Sequence, residues 1–403
     1  MNRSLTLESL VGASLLSLST AATAQTQTYV DLQAGLGYST NPLLAAGNNT
    51  GSGFGRASAF AYYGSITERG MTSVSAYLEN STYFRRYSNK QVFSLSAETS
   101  RSVSEKVRLF GSLGLTGDFG AQLSSRFYGV PQGSVAPDPT VPGSLLIVDP
   151  NLFGLNQRQY RVSGQVGTSM ALSPRDSLTA SVGAQHLFVN GSEATNLDYT
   201  QYESSLAYDR QINERLTVGG RLIGQYADYS GGRSITSVGP QATMRARLSD
   251  SWDATAAVGF VHTRQSFGSD GGSGSSIDLA LDGSLCRNVE FQRICARVSR
   301  RTQSSLIGGA PTSTSAGVDY YRRLSAKDTI QLSADVSRSS FRLLGLSQRT
   351  TFYSMAGSYD RKINDRLSAG ANTSVRKLSN FGPAAKTDIG GSVFVRYRIG
   401  DIR

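Results

Sequence analysis

Two cysteines and a series of regularly spaced arginines are the residues whose chemistry the sequence itself can locate. Cys286 and Cys295 stand on either side of Glu290, within a segment that reads as two consecutive strands. An antiparallel hairpin centred near Glu290 brings the two thiols opposite each other on one face, so the pattern predicts a disulfide between them. No histidine or further cysteine lies nearby to complete a metal site, and we expect no metal.

Several arginines recur at even intervals, which in a β-strand places them on one face. They are Arg293, Arg297 and Arg301 in one segment and Arg245 and Arg247 in another. If this face lines a water-filled pore, a row of positive charges favours the passage of anions. Aspartate and glutamate residues share the same parity, however, so the sequence equally allows a lumen of mixed charge.

Catalytic chemistry has little support in the remaining residues. The chain has only two histidines, His186 and His262, and neither is flanked by the nucleophile and acid that hydrolytic catalysis needs. The glycine-rich stretches 51–55 and 268–274 precede no helix, so they are not phosphate-binding loops. The net charge of +11 is spread along the chain, which argues against nucleic-acid binding. We therefore expect neither enzyme activity nor a cofactor.

Short polar turns divide the chain into a repeating unit of about 38 residues, with one longer interval. A unit of this length holds two strands, one tight turn and one longer loop, which is the layout of a transmembrane β-barrel. The turns are marked by Glu68, Glu105, Asp176, Glu214, Asp250, Asn288, Asp328 and Asp365.

The segments between these turns alternate between apolar and polar or small residues. The pattern is clear at 30–38, 277–285 and 330–336, and a period of two is typical of a strand with one buried face. Aromatic residues gather at both ends of the apolar faces, which resembles the two aromatic girdles at membrane interfaces.

Strand counting predicts an all-β fold, a transmembrane antiparallel up-and-down β-barrel of about 18 strands. Eight turns join sixteen strands, and the segments around Val30 and Phe394 add one at each end. A barrel of this size leaves an aqueous channel, and an even strand number returns both termini to the periplasmic side. Because residues 54–66 alternate poorly, a count that differs by two is the alternative.

The first residues indicate where the barrel is delivered. Arg3 precedes a weakly apolar stretch, and Ala22, Thr23 and Ala24 form a small-residue cleavage site. This pattern predicts a signal peptide over residues 1–24 and a mature barrel over 25–403, in the outer membrane of a Gram-negative bacterium.

The long interval between turns contains the third outer loop, residues 119–158, which holds half of the prolines of the chain. Long loops in compact proteins are usually functional or disordered. This loop is expected either to fold into the lumen and narrow it or to remain outside as a lid. In the first case Asp138 and Asp149 line the pore opposite the arginine row formed by Arg293, Arg297 and Arg301.

Two turns share a motif in which Tyr-Asp-Arg is followed by Ile-Asn-acid-Arg-Leu, at residues 208–216 and 359–367. With the signal peptide, the hairpin repeat and the strand count, the chain resembles porin-like outer-membrane barrels of Gram-negative bacteria, including a group that accompanies exopolysaccharide export. The resemblance implies a conduit for hydrophilic solutes or saccharide polymer and no catalytic residues. Unlike typical porins, the chain has no terminal Phe and ends in Gly400–Arg403.

Three functions stay open on this basis. The first is a channel for saccharide or exopolysaccharide export, the second a general or anion-preferring diffusion porin, and the third a structural or adhesive barrel. The expected partners are outer-membrane lipid, the barrel assembly machinery and, for the first function, periplasmic polysaccharide export proteins.

Overall fold

The protein forms a single closed sheet in a computed structural model. The structure describes residues 25–44, 49–119, 158–190, 198–230, 232–266, 273–302, 310–343, 346–379 and 386–401. The signal peptide expected at 1–24 and most of the long loop, including Asp138 and Asp149, lie outside the described residues.

Eighteen strands make up the sheet. In chain order they are β1 (Gln25–Ser39), β2 (Ser52–Thr67), β3 (Gly70–Tyr83), β4 (Lys90–Ser102), β5 (Val107–Phe119), β6 (Arg158–Ala171), β7 (Asp176–Asn190), β8 (Tyr199–Asn213), β9 (Leu216–Tyr229), β10 (Ser234–Arg247), β11 (Trp252–Ser266), β12 (Ser273–Val289), β13 (Gln292–Thr302), β14 (Thr312–Arg323), β15 (Asp328–Leu343), β16 (Leu346–Lys362), β17 (Leu367–Ser379) and β18 (Lys386–Gly400).

Every strand pairs antiparallel with its neighbours in the sequence, and β1 also pairs with β18. This last pairing closes the sheet, so the predicted all-β, 18-strand, up-and-down barrel is confirmed. All eight predicted turns lie within or directly beside the short connections at one end, which we call the turn side. The described strand ends near the chain termini meet there, since Tyr29 pairs with Gly400. The opposite end, with the long loop, is the loop side.

The wall of the barrel has two unlike faces. The outward face is apolar and uncovered, and Leu36, Val166 and Met355 are each at least 60% exposed. The inward face carries serine, glutamine and charged side chains, as Asp31 and Gln241 illustrate. Such an exterior is stable only in an apolar surrounding, and this arrangement is that of a transmembrane barrel. Within the described residues, no helix has the length and hydropathy needed to span a membrane.

Strand β2 shows why residues 54–66 alternate poorly in the sequence. Its outward positions hold small residues such as Gly55 and Ala59, which lie opposite Leu36 and Leu32 of β1. Its inward positions instead hold aromatic rings and Arg56. The large outward side chains of β1 therefore cover the small ones of β2, and the strand count is unaffected.

The repeated turn motif forms the same clasp twice on the turn side. The Tyr208 hydroxyl donates a hydrogen bond to Asp176 Oδ1 at 2.7 Å, and Tyr359 donates to Asp328 Oδ1 at 2.6 Å. In each case the arginine two residues after the tyrosine adds an ion pair, between Arg210 and Asp176 and between Arg361 and Asp328. Each clasp ties the strand that carries the motif to the preceding turn.

The closing seam between β1 and β18 is joined by side chains as well as backbone. The Arg398 guanidinium donates to both oxygens of Asp31 at 2.7 Å and lies 4.1 Å from the centre of the Tyr29 ring. Beyond β18 the chain turns at Gly400, which has φ +101°, so that the Asp401 carboxylate accepts a hydrogen bond from the Thr28 amide. A Cβ at position 400 would lie 2.5 Å from the Thr28 carbonyl oxygen.

We expect Arg398→Gln to lower the free energy of unfolding by roughly 3 kcal/mol, because it leaves the buried Asp31 without its charged partner. The control is Arg361→Gln, since Arg361 is 62% exposed and its ion pair with Asp328 is 3.8 Å long. Exposed pairs of this kind contribute less than about 1 kcal/mol. Unfolding in urea from lipid vesicles measures both variants, and equal losses would contradict a special role for the seam.

Candidate functional site

The inner wall is the candidate site, because inward side chains are the polar residues that meet the lumen. Small hydroxyl residues pair across neighbouring strands, for example Ser75 with Ser96 at 2.7 Å and Ser299 with Ser315 at 2.9 Å. Short side chains leave the interior open, and their hydroxyls keep hydrogen-bonding capacity for water or solute.

The five predicted pore-lining arginines of β10 and β13 all lie at inward positions. Arg301 binds Asp282 through its Nε at 2.8 Å and through a second nitrogen, and Arg297 pairs with Asp319. The arginine row on β13 is therefore partly neutralised by acids on the two neighbouring strands, β12 and β14. These two pairs fit the lumen of mixed charge that the sequence left open beside an anion-favouring row.

Asp282 also connects to an arginine that the sequence analysis did not single out. Arg221 on β9 lies 3.7 Å from Asp282, although β10 and β11 stand between their strands. Arg221 donates to Gln241 on β10 through Nε at 3.2 Å, and the inward residue opposite Gln241 on β11 is Gly259. Because Gly259 has no side chain, the Arg221 and Asp282 side chains can approach each other over this position on the lumen side. We call Arg221, Gln241, Asp282 and Arg301 the polar belt.

The polar belt extends towards β8 and β6. Glu203 on β8 accepts hydrogen bonds from Gln201 and, at 3.5 Å, from Gln225. Arg161 occupies an inward position on β6, two strands from Glu203. Opposite charges thus face one another along this side of the inner wall.

A group of inward aromatic rings lies on β1, β2 and β3, beside the closing seam. The Tyr29 ring lies 5.4 Å from Tyr62 and 6.1 Å from Phe60, measured between ring centres. Nearer the loop side, Phe54 lies 5.8 Å from Tyr83. These five residues, here called the aromatic track, run along the height of the wall. Arginines accompany them, since Arg56 lies over Phe54 and Arg396 over Phe394.

Arg56 belongs to a buried cluster beside the aromatic track. Its Nε lies 3.2 Å from Glu79, whose carboxylate also accepts hydrogen bonds from Tyr77 and Ser81. Glu79 is only 1% exposed, so the charge of Arg56 and these donors together compensate its burial. The inner wall near β2 and β3 is thereby fixed in position.

At the loop side, a second buried carboxylate holds the first loop against the wall. Asp388 is 1% exposed and binds Arg376 at 2.6 Å. Its other oxygen accepts hydrogen bonds from the Ser39 hydroxyl and, at 2.9 Å, from the Asn41 amide. Arg376 also reaches the Pro42 carbonyl oxygen at 3.1 Å, which ties the start of this loop to β17 and β18.

The remaining predicted arginines lie near the turn side. Arg247 is 3.9 Å from Asp253, and Arg293 Nε donates to Cys295 Sγ at 3.2 Å. Within the described part of the chain, neither Arg245 nor Arg293 has a carboxylate within 4.0 Å. Two inward arginines near the turn-side mouth are thus without a described carboxylate partner at this distance.

Cys286 and Cys295 face each other in the register of β12 and β13 and form a disulfide. The bridge lies on the inward face close to the turn at Glu290, and Cys295 is 5% exposed. The described residues contain no cluster of three or more potential metal ligands. His186 faces outward, where its ring lies 4.0 Å from that of Phe188.

Among solved structures, the chain is similar to an iron transporter and to porins. The chain is similar to the FrpB iron transporter of Neisseria meningitidis (F3-3 variant; TM-score 0.46, 11% identity, 88% of this chain and 62% of that one). It is also similar to Pseudomonas aeruginosa OccK2 (0.46, 10%, 94% and 99%) and to a BenF-like porin of Pseudomonas fluorescens Pf-5 (0.46, 9%, 93% and 99%).

The chain spans less than two thirds of the FrpB structure that it matches. At these identities and TM-scores the likeness is one of general barrel shape. No family model and no curated protein matches the chain. The class that the fold defines is a transmembrane β-barrel with a polar, charge-paired inner wall.

We expect Cys286 and Cys295 to be oxidised in protein from the membrane, and the barrel to survive their reduction. The strands on both sides are already paired, so a short closed loop adds at most about 3 kcal/mol. Mass spectrometry after alkylation without reductant measures the oxidation state. Two alkylated thiols would reject the bridge, and a barrel that unfolds on reduction would reject its secondary role.

Proposed function

We propose that this protein is an outer-membrane channel of a Gram-negative bacterium that conducts hydrophilic solutes, with export of a saccharide polymer as the favoured role. The signal peptide expected at 1–24 would deliver it, and the barrel assembly machinery would insert it. Periplasmic polysaccharide export proteins would be its partners at the turn side.

The observation that carries the channel proposal is the pairing of inward charges in a wide closed barrel. A barrel of this strand number leaves an aqueous lumen, and its inward charges here largely neutralise one another through Arg221, Asp282, Arg301, Arg297 and Asp319. A wall of alternating signs hydrates well but does not exclude either sign of ion strongly. Such a wall suits an uncharged, strongly hydrated solute.

The aromatic track supports saccharide as the solute class. Phe60 and Tyr62 face the lumen and are only partly covered, with Arg398 and Asp31 beside them. Aromatic rings provide a flat apolar face, which matches the apolar face of a pyranose, while neighbouring charged groups hydrogen-bond its hydroxyls. The combination of both groups along one wall is what a passing sugar chain would contact.

A second candidate is an anion-preferring diffusion porin. It is favoured by the turn-side mouth, where Arg245 and Arg293 lack a described carboxylate within 4.0 Å. Unpaired arginines at an entrance attract anions into it. A structural or adhesive barrel, the third candidate, differs from both because it requires no conductance.

We expect a neutral oligosaccharide to block ion current through the protein reversibly in a planar bilayer. The double variant Phe60→Ala/Tyr62→Ala should weaken this block by roughly 3- to 10-fold, because the sugar loses its aromatic contacts. The measurement is single-channel current against oligosaccharide concentration.

Tyr63→Ala is the matched control, since Tyr63 neighbours Tyr62 on β2 but faces outward and is 44% exposed. It should leave the block unchanged. Conductance without any saccharide block would favour the diffusion porin, and absence of conductance would favour the structural barrel.

We also expect weak ion selectivity, which single changes in the polar belt should shift in opposite directions. Asp282→Asn leaves Arg221 and Arg301 without their shared carboxylate and should move the reversal potential towards anions. Arg301→Gln should move it towards cations. The charge-balanced double variant Asp282→Asn/Arg301→Gln should return it close to the original value.

Reversal potentials in a salt gradient measure these shifts. Strong anion selectivity of the unaltered protein would contradict a neutralised lumen and support the anion-preferring porin. Selectivity that does not respond to either single change would show that ions do not pass the polar belt.

A further inference from the structure

A cluster of positive side chains occupies the outward face of the barrel near the loop side. Arg338, Arg349 and Lys377 lie at outward positions of β15, β16 and β17 and are exposed. Arg300 occupies the corresponding outward position on β13 and is partly exposed. We call these four residues the basic arc. They extend across four inter-strand spacings, roughly 19 Å.

The register of the strands brings these residues into one patch. Arg300 lies opposite Thr314 on the adjacent strand β14. Its guanidinium donates a hydrogen bond to the Thr314 hydroxyl at 3.3 Å. Thr314 in turn lies opposite Arg338. Arg338 lies opposite Thr351 on β16. Arg349 is the neighbouring outward residue of β16, two positions before Thr351.

The patch continues to β17 and meets the apolar band below it. Lys377 lies opposite Tyr353, which is outward and 48% exposed. Towards the turn side, the same outward face holds Val298, Met355 and Val375. The basic arc therefore lies at the loop-side edge of the apolar surface, at the level of outward aromatic residues such as Tyr353.

No acid balances these charges. Among the described outward residues of β13 to β17, the one acid is Asp328, which lies at the turn side in the clasp with Tyr359. None of the four basic residues has a described carboxylate within 4.0 Å. Elsewhere on the loop-side outward face the described charges are isolated, with Arg158 on β6, Asp228 on β9 and Arg264 on β11 among uncharged residues such as Tyr38 and Thr236.

Unpaired cations on a lipid-facing surface are unfavourable unless the surrounding membrane supplies negative charge. Their cost is about 2–4 kcal/mol at the bilayer midplane and falls towards the interface. Each Lys or Arg near an anionic lipid surface gains about 1 kcal/mol instead. Four such residues on one arc, with hydroxyl groups between them, therefore match a headgroup that carries both phosphate and sugar hydroxyls.

We propose that the basic arc is a binding site for the phosphorylated saccharide headgroup of an outer-leaflet glycolipid. Arg338, Arg349 and Lys377 pair with the phosphates, and Thr314 and Thr351 hydrogen-bond the sugar hydroxyls. The proposal rests on the outer-membrane location proposed above but does not depend on which solute the lumen conducts.

The test is binding of the purified full-length barrel to phosphatidylcholine vesicles that contain diphosphoryl lipid A. Arg338→Gln/Arg349→Gln should weaken binding roughly 10- to 30-fold, since it removes two charges at the membrane surface. The control double variant, Arg158→Gln/Arg264→Gln, removes two outward loop-side arginines outside the arc and should change binding less than about 3-fold. Conductance measured on the same samples should be unchanged in both variants.

Further arms separate the possible anions. Binding of inorganic phosphate alone should not depend on the arc, and binding to vesicles with phosphatidylglycerol in place of lipid A should weaken to a similar extent in both double variants, because it depends only on the number of charges. Equal losses of lipid A binding in the two double variants, or a loss of phosphatidylglycerol binding confined to the arc variant, would overturn the proposal. Normal lipid binding by a protein without conductance would leave this site intact while rejecting the channel function.

Discussion

The pairing of the first strand with the last is the constraint on which the whole molecule depends. In the hydrocarbon of a membrane every backbone amide and carbonyl needs a partner within the protein, so an open sheet would leave two unpaired edges. Closure between β1 and β18 removes both edges, and Asp31 and Arg398 strengthen that junction from the inside. Once the sheet is closed, alternation along each strand assigns every side chain either to lipid or to the lumen.

That strict alternation is also why so much of the fold could be predicted from the sequence. Turn residues such as Glu214 and Asp365 and the two-residue period of strands like β12 depend only on neighbours along the chain. The inward direction of Arg297 and Arg301 follows from the same period. The poor alternation of β2 had a different cause, because its small outward residues are meaningful only beside Leu32 and Leu36 of the neighbouring strand.

The partners of the inward charges could not be derived in this way. Asp282 contacts Arg221 across two intervening strands, and that contact requires the relative register of four strands and the absence of a side chain at Gly259. Sequence parity placed Asp282 and Arg301 on one face but did not show that they neutralise each other. An arginine row therefore looks like an anion filter in the sequence and like part of an ion-pair network in the folded barrel.

The two Tyr-Asp-Arg clasps lie on β8 and β16, eight strands apart in a ring of eighteen, and so stand at nearly opposite points of the circumference. Each ties a strand to the adjacent turn, so the turn-side rim is held locally at two distant points. The loop-side rim has no such matched pair among the described residues. Both clasp carboxylates occupy outward positions, so each clasp also shields a negative charge from the apolar outer surface of the barrel.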